Sequence, residues 1–136
     1  MPLRVGMAAD SDYPSLYALS GFHPTPETGE IGFPTIVAKD EVTGEIAGFI
    51  ASRVDADRIT ARNLWAPGRA RLAAKLVTIY ERYLLSLGIT SYYFIVSRRQ
   101  PQMYAVATHL EQEGLAERIG QSEDDNAIAY IRRIGG

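Results

Sequence analysis

Arg69, Arg71 and Lys75 crowd the start of a segment that carries the apolar period of a long helix. The N–H groups exposed at a helix N-terminus and the helix macrodipole favour anions there and disfavour cations. Three cations in that place imply a bound anion, and arginine pairs with phosphate through a planar two-pronged fork. The surrounding stretch, LWAPGRARLAAKLVTIYERYLLSLGITSYYFIV, reads as strand end, basic loop, amphipathic helix, glycine stop and buried strand. A phosphate site belongs at the junction of its loop and helix.

Other chemistries find less support. The chain has no cysteine, which excludes disulfides, thiolate metal sites and cysteine nucleophiles. The two histidines, His23 and His109, stand far apart in sequence, so no metal site is expected. Tyr92, Tyr93 and Phe94 beside Arg98 and Arg99 read as a buried strand running into a basic loop, in preference to a stacking platform for nucleic acid. A formal charge of -2 gives no whole-surface attraction to nucleic acid. Neither a nucleophile elbow with Ser, His and Asp nor a Walker loop occurs. Charge is nonetheless uneven. Glu27, Glu30, Asp40, Glu41 and Glu45 fall in the first third, while arginines gather from Arg58 to Arg99.

At 136 residues and 46% apolar content, the chain has the length of one domain with a sizeable core. It shows no signal-peptide pattern and no apolar run long enough for a bilayer, so a soluble protein without membrane contact is expected. Residues 3–7 read as a first strand, followed by a short helix with Asp10 and Ser11 as candidate caps. Prolines and glycines over 21–34 predict a long surface loop. Residues 35–39 and 45–54 form a hairpin with a turn at 40–44, and Gly48 marks a bulge. After a turn at 55–57, residues 58–65 alternate, with Ile59, Ala61, Asn63 and Trp65 on one face against Arg58, Thr60, Arg62 and Leu64 on the other. These three strands make an antiparallel meander.

Leu72, Leu76, Tyr80, Tyr83, Leu84 and Leu87 recur at three-to-four spacing, with Ala73, Val77 and Ile79 beside them, and Gly88 ends the helix. Residues 91–96 make a strand, Pro101 opens a helix closed by Gly114, and residues 115–119 and 127–134 are strands around a polar turn.

This layout resembles the GNAT (general N-acetyltransferase) superfamily across nearly the whole chain. RLAAKLVTIYERYLLSLGITSYYFIV is similar to the family's acetyl-CoA-binding helix and following strand, and YAVATHLEQEGL to its next helix. The resemblance implies a single α/β (α+β) domain over residues 1–136, with a mixed sheet of roughly six to seven strands flanked by helices. It also implies that the fourth and fifth strands diverge into a cleft. The family places Gln or Arg, two residues, Gly, one residue, then Gly or Ala at the helix start, where glycine lets main-chain N–H groups approach the cofactor pyrophosphate. Counted back from Gly88, the three positions fall on Gly68, Arg71 and Ala73; a shifted register keeps Gly68 and Ala70 but puts Trp65 at the Gln or Arg position. Leu64, Trp65, Ala66, Gly68, Arg69, Ala70, Arg71, Ala73 and Lys75 are therefore the cofactor-binding residues that the resemblance implies.

Acyl transfer also needs a base for the attacking amine and an acid for the departing thiolate. The family's strand carboxylate has no counterpart between Arg58 and Trp65, and its tyrosine position falls on Leu110. His109, Tyr104, and Asp55 or Asp57 are the substitutes. Two functions follow. One is acyl-CoA-dependent N-acetyl transfer to an amine, in the cytoplasm, with acetyl-CoA and no metal. The other is a non-catalytic GNAT-fold component that binds acidic groups of a protein partner through the basic loop, with Trp65 or residues 21–34 as anchors. The compact length and degenerate loop also resemble small GNAT-like proteins of bacteriophages, some of them virion components, which would place the chain in the phage particle within its host.

Overall fold

The computed structural model describes residues 2–20, 35–55, 58–98, 101–121 and 126–135. The predicted loop over 21–34 with His23, Asp57, Arg99 and the hairpin tip 122–125 lie outside the described residues. The elements follow the sequence periods closely: β1 (Leu3–Met7), α1 (Tyr13–Ser20), β2 (Ile36–Asp40), β3 (Ile46–Asp55), β4 (Arg58–Trp65), α2 (Ala70–Ser86), β5 (Ser91–Ser97), α3 (Pro101–Gln112), β6 (Ala116–Gln121) and β7 (Ala127–Arg133).

A seven-stranded sheet runs in the order β1-β2-β3-β4-β5-β7-β6. Every neighbouring pair is antiparallel except β4 and β5, whose parallel pairing needs the crossover that α2 provides. Successive strand residues point to opposite faces, and each face has its own cover. On one face, Leu16 of α1 packs with Val37, Phe49 and Ala51. On the other, Leu72, Leu76, Tyr80 and Leu84 of α2 cover Ile36, Ala38, Ile50, Ala61 and Tyr92. Farther along that face, Ala107 of α3 packs on Val96, Ile128 and Tyr130. No helix among the described residues is long and apolar enough to cross a membrane.

Three local features set the geometry around α2. Gly88, at φ 79°, lets the chain turn left-handed; its N–H donates to Leu85 and that of Ile89 to Leu84 at 2.9 Å, closing the helix. Gly48 lets α2 lie close on β3, because a Cβ there would stand 2.8 Å from the Trp65 carbonyl oxygen and 3.2 Å from Leu72 and Leu76. The bulge expected near Gly48 is present, since the β2–β3 register slips between its partner Ala38 and Lys39.

The third feature corrects the reading of β4. The β3–β4 register shifts between Ala51, paired with Asn63, and Ser52, paired with Ala61, leaving Arg62 as an extra residue. One extra residue reverses the facing of all that follow. Leu64 thus joins Ile59 and Ala61 against α2, whereas Trp65 turns to the α1 side and stacks on Phe49 with centroids 5.9 Å apart. The first helix follows a 3-10 turn at Asp10–Asp12. There Asp12 reaches back to accept the Ala9 N–H at 2.8 Å and pairs with Lys39 at 2.6 Å.

Candidate functional site

β4 and β5 share a ladder only at Thr60–Tyr93 and Ala61–Phe94. Beyond those pairs β5 stays bonded to β7 and β4 to β3, so their C-terminal ends part. Among the described residues, the edge of β4 that faces β5 past Ala61 has no strand partner. A cleft of about 600 Å³ opens over the gap, walled by Leu64, Trp65 and Ala66, by Ala70, Ala73 and Val77 of α2, and by Met103, Val106 and Leu110 of α3. Alanines on the facing side of α2 keep it wide.

The mouth of the cleft is the start of α2. Arg69 caps the helix at φ -130° without any side-chain cap hydrogen bond, and no acidic residue occupies the first turn. The first-turn N–H groups are therefore free to meet an external acceptor. Gly68, at φ 69°, turns the chain into the helix, and open space surrounds its α-carbon. Arg69, Arg71 and Lys75 are all exposed, and none forms an ion pair with a described carboxylate. None of the three lines the cleft, whose walls at this end come from Leu64, Trp65, Ala66, Ala70 and Ala73. Helix-start cations destabilise a helix by roughly 0.3–1 kcal/mol each, a cost that a polyanion at the mouth reverses.

About eleven residues, or roughly 16 Å, along α2 from its start, the cleft ends on charged groups. Glu81 and Arg132 both line it, each side chain 16% exposed. Arg132 Nε donates to Glu81 Oε2 at 3.1 Å, and its remaining nitrogens reach Glu81 Oε1 and the carbonyls of Leu115 and Arg133. Tyr92 donates its hydroxyl to the same Glu81 oxygen at 2.7 Å. Deeper in the core, Ser52 donates to the Tyr80 hydroxyl at 2.7 Å, and the Tyr80 and Tyr92 rings meet edge to face at 5.2 Å. Burial pushes both phenols above the usual tyrosine range; for Tyr92 the Glu81 charge adds to it, and for Tyr80 the Ser52 hydrogen bond opposes it. Sequence reasoning missed this network because its members are scattered along the chain.

Helix geometry places the proton-transfer candidates of α3 beside the residues that face the cleft. Met103, Val106 and Leu110 face the cleft. At about 100° per residue, Tyr104 and His109 project roughly a quarter-turn or more to either side of that face. Tyr104 is half-buried beneath Arg98, whose Cζ stands 5.7 Å from the ring centroid, and His109 is exposed in the last turn. Neither lines the cleft, and Leu110 occupies the position where the family's acid was expected. Asp57 lies outside the described residues. Among those residues no group of three metal-ligating side chains occurs.

No protein-family profile matches the chain, and no curated protein matches it in sequence. Its shape does match solved structures. The ribosomal-protein-S18-alanine N-acetyltransferase from Escherichia coli superposes with a TM-score of 0.71 at 17% identity, over 99% of this chain and 96% of that one. Arabidopsis thaliana Naa50, solved with the bisubstrate analogue CoA-Ac-MVNAL, gives 0.70 at 12% identity over 98% and 100%. An acetyltransferase of the GNAT family from Staphylococcus aureus Mu50 gives 0.65 at 11% over 98% and 100%. With its split parallel pair, its crossover helix and these superpositions, the chain has the GNAT acetyltransferase fold.

Proposed function

We propose that this protein transfers an acetyl group from acetyl-CoA to an amine. The carrying observation is the cleft between the parted ends of β4 and β5, which opens beside a helix start carrying three exposed cations, none paired with a described carboxylate. The first-turn N–H groups of α2, with Arg69, Arg71 and Lys75, would hold the phosphates of coenzyme A. The unpaired edge of β4 beside Leu64 offers main-chain donors and acceptors to an extended, amide-containing arm, while Ala70, Ala73 and Val77 flank it. Coenzyme A supplies an activated thioester. In the transfer a C–N bond forms and the C–S bond breaks; one proton leaves the amine and one is taken up by the thiolate. The chain's contribution is to position the two reactants and to offer β4 main-chain N–H groups to the developing oxyanion. The Escherichia coli neighbour acts on an alanine of ribosomal protein S18, and the Naa50 analogue joins CoA to a peptide. These names favour the amine of a peptide as the acceptor class. The cytoplasm is the corresponding compartment.

Release of free thiol from acetyl-CoA in the presence of a peptide amine tests the activity. A rate no higher than that of buffer, with the protein saturated with acetyl-CoA, contradicts it.

One observation favours a second, non-catalytic reading. Among the described residues lining the cleft, the Glu81 carboxylate is tied to Arg132 and Leu110 replaces the expected acid. In that reading the basic rim meets acidic groups on a protein partner, Trp65 anchors the interface, and a phage virion is one setting. A thermal-shift titration separates the two. Acetyl-CoA at 100 times its dissociation constant should stabilise the protein by about 2.7 kcal/mol, whereas no shift at millimolar concentration favours the partner-binding reading.

A further inference from the structure

Beneath α3 the cleft continues into a smaller chamber of about 130 Å³, walled by Ala61, Phe94, Val96 and Ala107. Leu64, Val106 and Leu110 line both, so the two spaces adjoin across shared side chains. Among its described side chains the sole oxygen or nitrogen is the Tyr92 hydroxyl, already donated to Glu81. The rest is hydrocarbon and the Met103 sulfur. Small residues at Ala61 and Ala107, both at most 8% exposed, keep the space open.

An enclosed apolar cavity of about 150 Å³ takes up benzene, a body of about six carbons, which sets the scale for this partly open space. An acetyl group offers a single methyl and leaves most of such a chamber empty, so its lining forgoes dispersion contacts. We propose that the chamber receives the hydrocarbon tail of an acyl thioester with roughly four to six carbons, and that the protein prefers such donors to acetyl-CoA. This deepens the acyltransfer reading and rests on it. Bond changes are those of acetyl transfer: the longer acyl carbon gains nitrogen and loses sulfur, with the same proton exchange.

The test is calorimetric titration of the whole protein with free CoA, acetyl-CoA, butanoyl-CoA and hexanoyl-CoA, which needs no turnover. Each buried methylene tightens binding about fourfold, so hexanoyl-CoA should bind at least tenfold more tightly than acetyl-CoA. Ala61→Val, which fills the chamber from β4, should remove that advantage; its folding is verified by thermal unfolding. Equal dissociation constants along the acyl series in the unaltered protein, or an advantage that survives in Ala61→Val, overturn the chamber's role while CoA binding stands. Failure of free CoA to bind overturns the proposed function and the chamber's role together.

Discussion

Glu81 joins three elements through one carboxylate: its own helix α2, β5 through Tyr92, and β7 through Arg132. Removing it leaves a half-buried guanidinium and a buried phenol without their acceptor. Glu81→Ala should therefore cost about 2–3 kcal/mol in urea unfolding, and Glu81→Gln less, because the amide oxygen still accepts from Tyr92. A loss under about 0.5 kcal/mol would place the pair among solvent-screened surface bridges. Tyr80 and Tyr92 supply a pH signature. Their folded pKa values lie above the unfolded value of about 10, so folding binds these protons more tightly than unfolding does. Their contribution is complete below pH 10 and is lost as pH rises beyond it, at about 1.4 kcal/mol per pH unit for each phenol. Urea titrations from neutral to alkaline pH should show this fall, and Tyr92→Phe should halve its slope.

Among the elements, α2 was the most legible, because burial of Leu72, Leu76, Tyr80 and Leu84 repeats at the spacing its sequence displays. Local glycine and proline chemistry likewise revealed where α2 and α3 stop and start. What stayed hidden depends on partners distant in the chain. The bulge at Arg62 exists only in relation to β3, so an unbroken alternation in the sequence misplaced Leu64 and Trp65. The placement of β7 between β5 and β6 is a choice of edge that a hairpin pattern does not encode. Glu81 and Arg132 stand 51 residues apart, with no local motif to join them. The cations of the helix start stand out in the sequence because they conflict with the helix dipole, whereas where Tyr104 and His109 point depends on a rotation of about 100° per residue around α3. Gly48 is the element-scale test. Gly48→Ala forces α2 off β3 and the Trp65 carbonyl, and should lower stability by about 1–3 kcal/mol in urea unfolding. An unchanged midpoint would mean that the helix can shift without loss.

At the scale of the whole molecule, the sheet is a continuous ladder except where β4 and β5 part, and α2 both bridges that break and presents its positive end beside it. The same crossover that makes the strands parallel thus sets a helix N-terminus, the end that favours anions, beside the cleft. Function then turns on whether a polyanionic thioester uses that end. The most direct measurement is isothermal titration of coenzyme A into the protein and into its Arg69→Ala, Arg71→Ala double variant. Saturable binding in the former, weakened tenfold or more in the latter, is the predicted result, since charge-assisted hydrogen bonds contribute about 1.5–3 kcal/mol each. No heat of binding at millimolar coenzyme A, or identical affinity in both proteins, would contradict the account.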